Sequence, residues 1–74
     1  MQSAEELHQR GVQAINAGRI AQARRLLSAA ADRAEGDETL ARIESSLAYC
    51  AAESGDRQAG LEFCTRALAR AGLT

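Results

Sequence analysis

The side chains best suited to chemistry are the only histidine, His8, and two cysteines, Cys50 and Cys64. One histidine cannot form a histidine-based metal cluster within a single chain, and the spacing of 14 residues between the cysteines fits neither a C-x-x-C motif nor a zinc pattern. A thiolate nucleophile needs a base and an orienting acid, and the sequence provides neither beside Cys64. The sequence therefore predicts a protein that is not an enzyme and that holds no metal or cofactor.

The acidic and glycine residues do not form a catalytic or phosphate-binding motif either. Glu5 and Glu6 stand in the predicted first turn of a helix, where the helix dipole stabilises negative charge. Gly18 and Gly55 stand alone rather than in the glycine-rich loop that cradles a phosphate. Binding is then the remaining function, and the elements that position the side chains become the main question.

Length and charge narrow the class of partner. The chain has 74 residues, enough for one small domain, and its formal net charge of −1 argues against a nucleic-acid partner. The first residues lack the basic flank and apolar segment of a secretory signal, and no stretch approaches the ~20 apolar residues of a membrane span. We therefore expect a cytoplasmic protein that does not bind membranes, with both cysteines reduced and buried as small packing residues.

The charges are divided unevenly along the chain. Residues 1–34 hold five Arg and three acidic residues, whereas residues 35–74 hold four Arg and seven acidic residues. A mixed, solvated surface accounts for this division. Head-to-tail self-association is the alternative, because it would bring a half with net charge +2 against a half with net charge −3.

Apolar residues recur at helical spacing in four segments that short breaks separate. Ser3 and Glu6 match the S-x-x-E capping box and predict a first helix from about residue 4. Gly18 and Gly55, which are 37 residues apart, are predicted to end the first and third helices. Glycine takes the left-handed conformation of a helix end without steric cost, so an antiparallel helix can start almost at once.

Each predicted helix has one apolar stripe to bury. Asp37 and Asp56 are the expected N-caps of the third and fourth helices. The stripes are, in chain order, Leu7, Gly11, Ala14 and Ile15; Ile20, Ala23, Leu27, Ala30 and Ala34; Leu40, Ile43, Leu47, Ala48 and Ala51; and Gly60, Phe63, Cys64, Ala67 and Ala71. The prediction is an all-α single domain over residues 1–74, with one helical hairpin at about 4–37 and a second at about 41–74.

The two hairpins share a pattern of places spaced as W-x2-L-G-x2-Y, a turn glycine and A-x3-F. These places are Leu7, Arg10, Gly11, Ala14, Ala23 and Leu27 in the first copy, and Glu44, Leu47, Ala48, Ala51, Gly60 and Cys64 in the second. The pattern resembles a degenerate tetratricopeptide repeat of bacterial type. Arg10 and Glu44 depart from the family's apolar residues, the late proline is absent from both copies, and the period is 37 rather than about 34. We expect the extra residues in an enlarged loop from Gly36 to Thr39.

The resemblance implies two antiparallel helix-turn-helix hairpins stacked as an α-solenoid fragment, in which the first helix of each repeat lines a concave groove. The matching places are Glu5, His8, Val12, Ile15, Arg42, Ser45, Tyr49 and Ala52. The implied partner is an extended or helical peptide segment, for which Val12, Ile15 and Tyr49 would form an apolar floor. The alternative is that these three residues only complete the packing between repeats and that His8 is solvated.

Leu61 and Leu68 lie seven residues apart on the fourth helix, outside its predicted stripe. Repeat arrays usually need about three units for stability, so these leucines predict a cover: a further repeat of a longer chain, a second copy or another protein. The Ala- and Arg-rich texture is also similar to the N-terminal repeat regions of large bacterial proteins that end in a caspase-like protease domain. The alternative function is therefore a structural or self-association module, or the repeat segment of a larger bacterial signalling or protease protein.

Overall fold

Four helices make up most of the described chain. The computed structural model describes residues 2–72 and places α1 at Ala4–Asn16, α2 at Ile20–Arg33, α3 at Asp37–Glu53 and α4 at Arg57–Arg70, with no strand among those residues. The all-α prediction is confirmed. The outermost residues of the predicted domain, Met1, Leu73 and Thr74, lie outside the described range. None of the four helices is long and apolar enough to cross a membrane.

Side chains begin two of the helices as predicted. At α1, the Ser3 hydroxyl accepts from the Glu6 backbone N–H at 3.1 Å and the Glu6 carboxylate accepts from the Ser3 backbone N–H at 3.0 Å, which completes the capping box. The bond from the Ser3 backbone, followed by the bond with its side chain, holds the pKa of the Glu6 carboxyl below its usual range. At α4, the Asp56 carboxylate accepts from the Ala59 N–H at 3.2 Å.

The predicted start of α3 is wrong. Helix α3 begins at Asp37 itself, and its N-cap is Gly36, which makes no side-chain capping bond. The Asp37 carboxylate accepts instead from Arg70 Nη1 at 3.1 Å. Residues 37–39 therefore form the first turn of a helix of 17 residues and not an enlarged loop, so the long repeat period arises inside α3.

The two predicted hairpin turns have the same geometry. Gly18 and Gly55 have positive φ angles of 77° and 78°, as the sequence predicts. In each turn, the N–H of the residue after the glycine donates at 2.8 Å to a helix carbonyl, that of Ala14 in the first turn and that of Ala51 in the second. Helices α2 and α4 also begin and end 37 residues apart. The two turns and the second helix of each hairpin therefore recur with the period read from the glycines.

The core lies where each helix packs on the next. Helix α1 packs on α2, α2 on α3 and α3 on α4, whereas α1 and α3 touch only slightly. Leu27, Ile43 and Cys50 are the largest fully buried side chains. A Cβ added at Gly11 would lie 2.7 Å from two carbons of Leu27, so the close approach of α1 to α2 requires glycine there.

The predicted stripes of α1, α2 and α3 are buried or half-buried, but that of α4 is only partly so. In this last stripe, Ala67 is buried and Phe63 is half-buried, while Cys64 and the C-cap residue Ala71 are exposed. The prediction that both cysteines are buried is right for Cys50 and wrong for Cys64. The reason is that, among the described elements, α4 packs on α3 alone, so its far side faces solvent.

Candidate partner-binding surfaces

Most of the predicted groove residues meet where α1 passes α3. We call this surface the α1–α3 groove; it comprises Glu5, His8, Val12, Ile15, Arg42, Ser45, Ser46 and Tyr49. At its charged end, Arg42 Nη2 lies 4.0 Å from Glu5 Oε1, and both side chains are largely exposed. An exposed ion pair at this distance contributes little to stability. Both charges are therefore accessible to a partner.

His8 is held against α3 by a serine that the repeat pattern does not mark. His8 Nε2 lies 3.2 Å from Ser46 Oγ, and Ser46 Oγ lies 3.3 Å from the Arg42 carbonyl oxygen. The hydroxyl has one hydrogen, and when it is donated to the carbonyl the His8 Nε2–H is the donor to Oγ. A general base would have to accept the serine proton instead. This geometry makes the pair a link between α1 and α3.

The surroundings of His8 favour its neutral form. Partial burial lowers the pKa of His8, the nearby positive charge of Arg42 lowers it further, and Glu5 opposes both effects. A neutral imidazole carries a single N–H, and when the Ser46 hydroxyl donates to the Arg42 carbonyl this N–H is at Nε2 and donates to Ser46 Oγ. His8 is thus tied into the groove wall, rather than simply solvated as the alternative interpretation holds.

The apolar part of the groove is shallow and partly open. Val12, Ile15 and Tyr49 line one depression of about 410 Å³ together with Asn16, Ser45 and Ser46. Tyr49 is 50% exposed and Val12 is 37% exposed, so packing between the helices leaves much of their surface uncovered. Their predicted juxtaposition is observed, while their role in binding stays a prediction.

Ala52 is the predicted groove residue that the structure places elsewhere. It lines a depression between α3 and α4, with Leu61 and Cys64. An α-helix turns about 100° per residue, so the ten residues from Arg42 to Ala52 accumulate a displacement of about 80° around the helix axis. Ser45, at about 60° from Arg42, already lines both the groove and a depression between α3 and α4, and Ala52 lies further towards α4.

A second exposed surface lies between α3 and α4. We call it the α3–α4 face; it comprises Ala41, Ala48, Ala52, Leu61, Cys64 and Leu68. It contains two depressions of about 500 Å³ and 350 Å³, and Cys64 lines both. Leu61 is 59% exposed and Leu68 is 46% exposed. The two leucines singled out in the sequence thus lie on one largely apolar surface.

The sequence does not predict the ion pair that Glu44 of α3 forms with Arg70 of α4. Glu44 is only 4% exposed, and Arg70 Nε donates to its Oε1 at 2.7 Å. Arg70 also reaches Asp37 through Nη1, and the bond to Glu44 is the main cause that raises the pKa of Arg70. In the repeat pattern, Glu44 marks only a departure from an aromatic residue. Its partner lies 26 residues away, beyond the reach of helical periodicity.

Comparisons of the chain with protein-family models, with curated proteins and with solved structures found no match. Within residues 2–72, no three His, Cys, Asp or Glu side chains are grouped so that they could hold a metal ion. The two surfaces described above are therefore the candidate sites of function.

Proposed function

We propose that this chain is a fragment of an α-solenoid, built from two stacked antiparallel hairpins of tetratricopeptide type, and that it acts as a non-catalytic protein-interaction module. The equal φ angles at Gly18 and Gly55, the 37-residue offset of α2 and α4, and the packing of each helix on the next support this architecture. The proposal includes a cytoplasmic location, which fits the free thiols of Cys50 and Cys64.

The proposed partner is a peptide or helical segment that lies in the α1–α3 groove. The observation that carries this proposal is that Val12, Ile15 and Tyr49 share one open depression on the same two helices that hold the charged pair of Glu5 and Arg42. A half-exposed tyrosine offers a large, rigid contact area at low entropic cost, which is typical of residues that dominate binding. A segment with an apolar residue and flanking charges would match both parts of the groove.

Selection from a displayed library of random peptides tests this proposal. We expect the chain to enrich peptides whose binding weakens at least about tenfold in Tyr49→Ala, since removal of a central aromatic contact commonly costs this much or more. Leu61→Glu is the matched control, because Leu61 is exposed on the α3–α4 face, outside the groove. If the selected peptides bind Tyr49→Ala as tightly as the parent chain, the groove is not the binding site.

A second function is favoured by the exposed leucines of the α3–α4 face. A structural or self-association module, or a repeat segment of a larger bacterial signalling or protease protein, would bury Leu61 and Leu68 against further protein. Light scattering across a dilution series tests self-association directly. A mass that stays at one chain at every concentration would leave a different polypeptide as the candidate cover.

A further inference from the structure

The first hairpin shows how a surface like the α3–α4 face is covered. Helix α3 packs on the first hairpin through α2, where Ala23, Leu27 and Ala30 are fully buried. The residues 37 positions later on α4 are Gly60, Cys64 and Ala67, of which only Ala67 is buried. The exposed Cys64 thus occupies the repeat position at which Leu27 is sealed in the core. The α3–α4 face is the same surface one repeat later, without its covering helix.

The covering helix has a defined chemistry. Helix α3 turns Ile43, Leu47 and Cys50 inward, and these residues are 0%, 3% and 0% exposed. Their spacing is i, i+4 and i+7, which is one stripe of an amphipathic helix. A helix that covers the α3–α4 face in the same way therefore presents small or aliphatic residues at this spacing.

The other end of the molecule does not provide such a stripe. The residues of α1 that lie 37 positions before Ile43, Leu47 and Cys50 are Glu6, Arg10 and Gln13, and all three are exposed. Head-to-tail association in the manner of successive repeats would bury these polar groups against apolar residues without partners, which is costly. The uneven division of charge between the two halves therefore does not identify a second copy as the cover.

Charge points to an acidic partner. Among residues 2–72, the charged side chains that line the two depressions of the α3–α4 face are Arg42 and Arg57. Two copies meeting through this face would bring like charges together, which is unfavourable. A partner with an acidic side chain at the rim would instead pair with these arginines.

The repeat also places that acidic residue. Arg42 lies 37 positions after Glu5, and Glu5 pairs across the groove with Arg42 on the incoming helix α3, one residue before Ile43. One repeat later the charge is reversed, because Arg42 occupies the position that corresponds to Glu5. An incoming helix with an acidic residue one position before its first aliphatic residue would complete the pair.

We propose that the α3–α4 face binds an amphipathic helix from a different polypeptide. That helix carries aliphatic residues at i, i+4 and i+7 and an acidic residue at i−1. This site borders the α1–α3 groove along Arg42 and Ser45, but its apolar residues, Leu61, Cys64 and Leu68, do not line the groove. Leu61 and Leu68 pack against the stripe, and Arg42 pairs with the acidic residue.

The test uses a peptide made from the chain's own covering helix. It has the sequence of residues 37–53 with Arg42→Glu to supply the acidic group and Cys50→Val to remove its thiol. A hydrocarbon staple joins positions 45 and 49, which are exposed on α3, and circular dichroism checks that the peptide is helical. Calorimetric titration of the full chain with this peptide is expected to give saturable binding.

Two matched variants locate the binding. Leu61→Glu combined with Leu68→Glu is expected to weaken binding of the peptide at least about tenfold. Tyr49→Ala, which changes the α1–α3 groove, should leave the affinity for the peptide unchanged. Leu61→Ser with Leu68→Ser provides a milder second variant if the glutamates disturb α4. The peptide that keeps Arg42 should bind severalfold more weakly, because it faces the arginine rim with a like charge.

Cys64 supplies an independent footprint. It is exposed in the centre of the face, whereas Cys50 is buried and burial raises the pKa of its thiol. The bound peptide should slow the reaction of Cys64 with a thiol reagent. The proposal is overturned if the helical peptide does not saturate the chain, if Tyr49→Ala abolishes its binding, or if the chain alone dimerises and thereby protects Cys64. If only Tyr49→Ala abolishes binding of the peptide, the peptide binds in the α1–α3 groove. Failure of this proposal can therefore be distinguished from failure of the proposed function.

Discussion

The two ends of the molecule share a helical framework but differ in the side chains that they present. On α1, the outward places hold Glu6, Arg10 and Gln13, whereas the α3–α4 face presents Leu61 and Leu68 beside small residues. At the first end these places are polar and exposed, and Glu6 and Arg10 are hydrogen-bonded to Ser3 and Gln2. The second retains apolar surface of the kind that protein partners cover. Both ends are helical, and their side chains are what distinguishes them.

The hairpins also differ in how they fill one buried position. Leu7 and Glu44 are 37 residues apart, and each is 4% exposed. Leu7 is apolar, while Glu44 is paired with Arg70, the repeat counterpart of Arg33. Arg33 instead donates to the Gln2 carbonyl oxygen at 2.9 Å. An apolar contact in one repeat is therefore replaced by an ion pair in the other without loss of burial.

The largest loss of stability should come from truncating Leu27, the buried member of the pair of repeat positions Leu27 and Cys64. Leu27→Ala removes a fully buried side chain and should lower the free energy of unfolding by about 3 kcal/mol. Cys64→Ala, at the matched exposed place, should change it by less than about 0.5 kcal/mol. Urea unfolding followed by circular dichroism measures both. Equal losses would mean that the α3–α4 face is already covered in solution.

A smaller loss of stability is expected when the partner of the buried Glu44 carboxylate in the second hairpin is removed. Arg70→Ala leaves the Glu44 carboxylate without its partner, so the urea midpoint should fall clearly. The fall should be smaller than for Leu27→Ala, because the Arg70 side chain is 32% exposed and water can replace it beside Glu44. Glu44→Leu together with Arg70→Ala makes this position resemble Leu7, and it should recover most of the loss. If the double variant is less stable than Arg70→Ala, position 44 does not tolerate the buried leucine that the first hairpin has at position 7.

Local rules account for the parts of the fold that the sequence predicts correctly. The capping box at Ser3, the cap at Asp56 and the glycines at 18 and 55 each depend on contacts within a few residues. The predicted N-cap of α3, Asp37, is wrong because local rules allow both Asp37 and Gly36 as N-caps, and the structure has Gly36. In the structure, the start of α3 at Asp37 coincides with a hydrogen bond between Asp37 and Arg70, 33 residues away.

Contacts between helices explain what the sequence did not show at the candidate sites. The link from His8 to Ser46 spans 38 residues and depends on how α1 and α3 cross. The family resemblance predicts that Ala52 lies in the groove with Tyr49, but the rotation that accumulates along α3 turns Ala52 towards α4. Cys64 matches the buried stripe by spacing and is nevertheless exposed, because periodicity identifies a stripe without identifying what covers it.

The two hairpin turns should respond alike to a moderate perturbation. A Cβ at Gly18 or Gly55 meets no atom within 4 Å, so the cost of alanine comes from the positive φ angle alone. Gly18→Ala and Gly55→Ala should each lower the free energy of unfolding by about 1 kcal/mol. Thermal and urea unfolding of the two variants measure these costs. A difference larger than about 0.5 kcal/mol would indicate that the turns are not equivalent beyond their geometry.

The smallest effect should come from the pH dependence of the contact between the hairpins at His8. Because burial and Arg42 lower the pKa of His8 in the folded chain, protonation favours the unfolded chain. Stability at this site is therefore fully present above the unfolded pKa of about 6.5 and declines as the pH falls through it. The free energy of unfolding, measured between about pH 7.5 and 5.5, should decrease and then flatten below the folded pKa.

His8→Gln isolates this contribution, because glutamine can donate to Ser46 but does not titrate. The working range stays above the ordinary pKa of glutamate, near 4.3, so the capping carboxylate of Glu6 remains charged and contributes no slope. The variant should remove the part of the pH dependence that belongs to the α1–α3 groove, while the response of Leu61→Glu should match that of the parent chain. An unchanged slope in His8→Gln would assign the pH dependence to another group and leave the His8–Ser46 contact without a measurable share in joining the two hairpins.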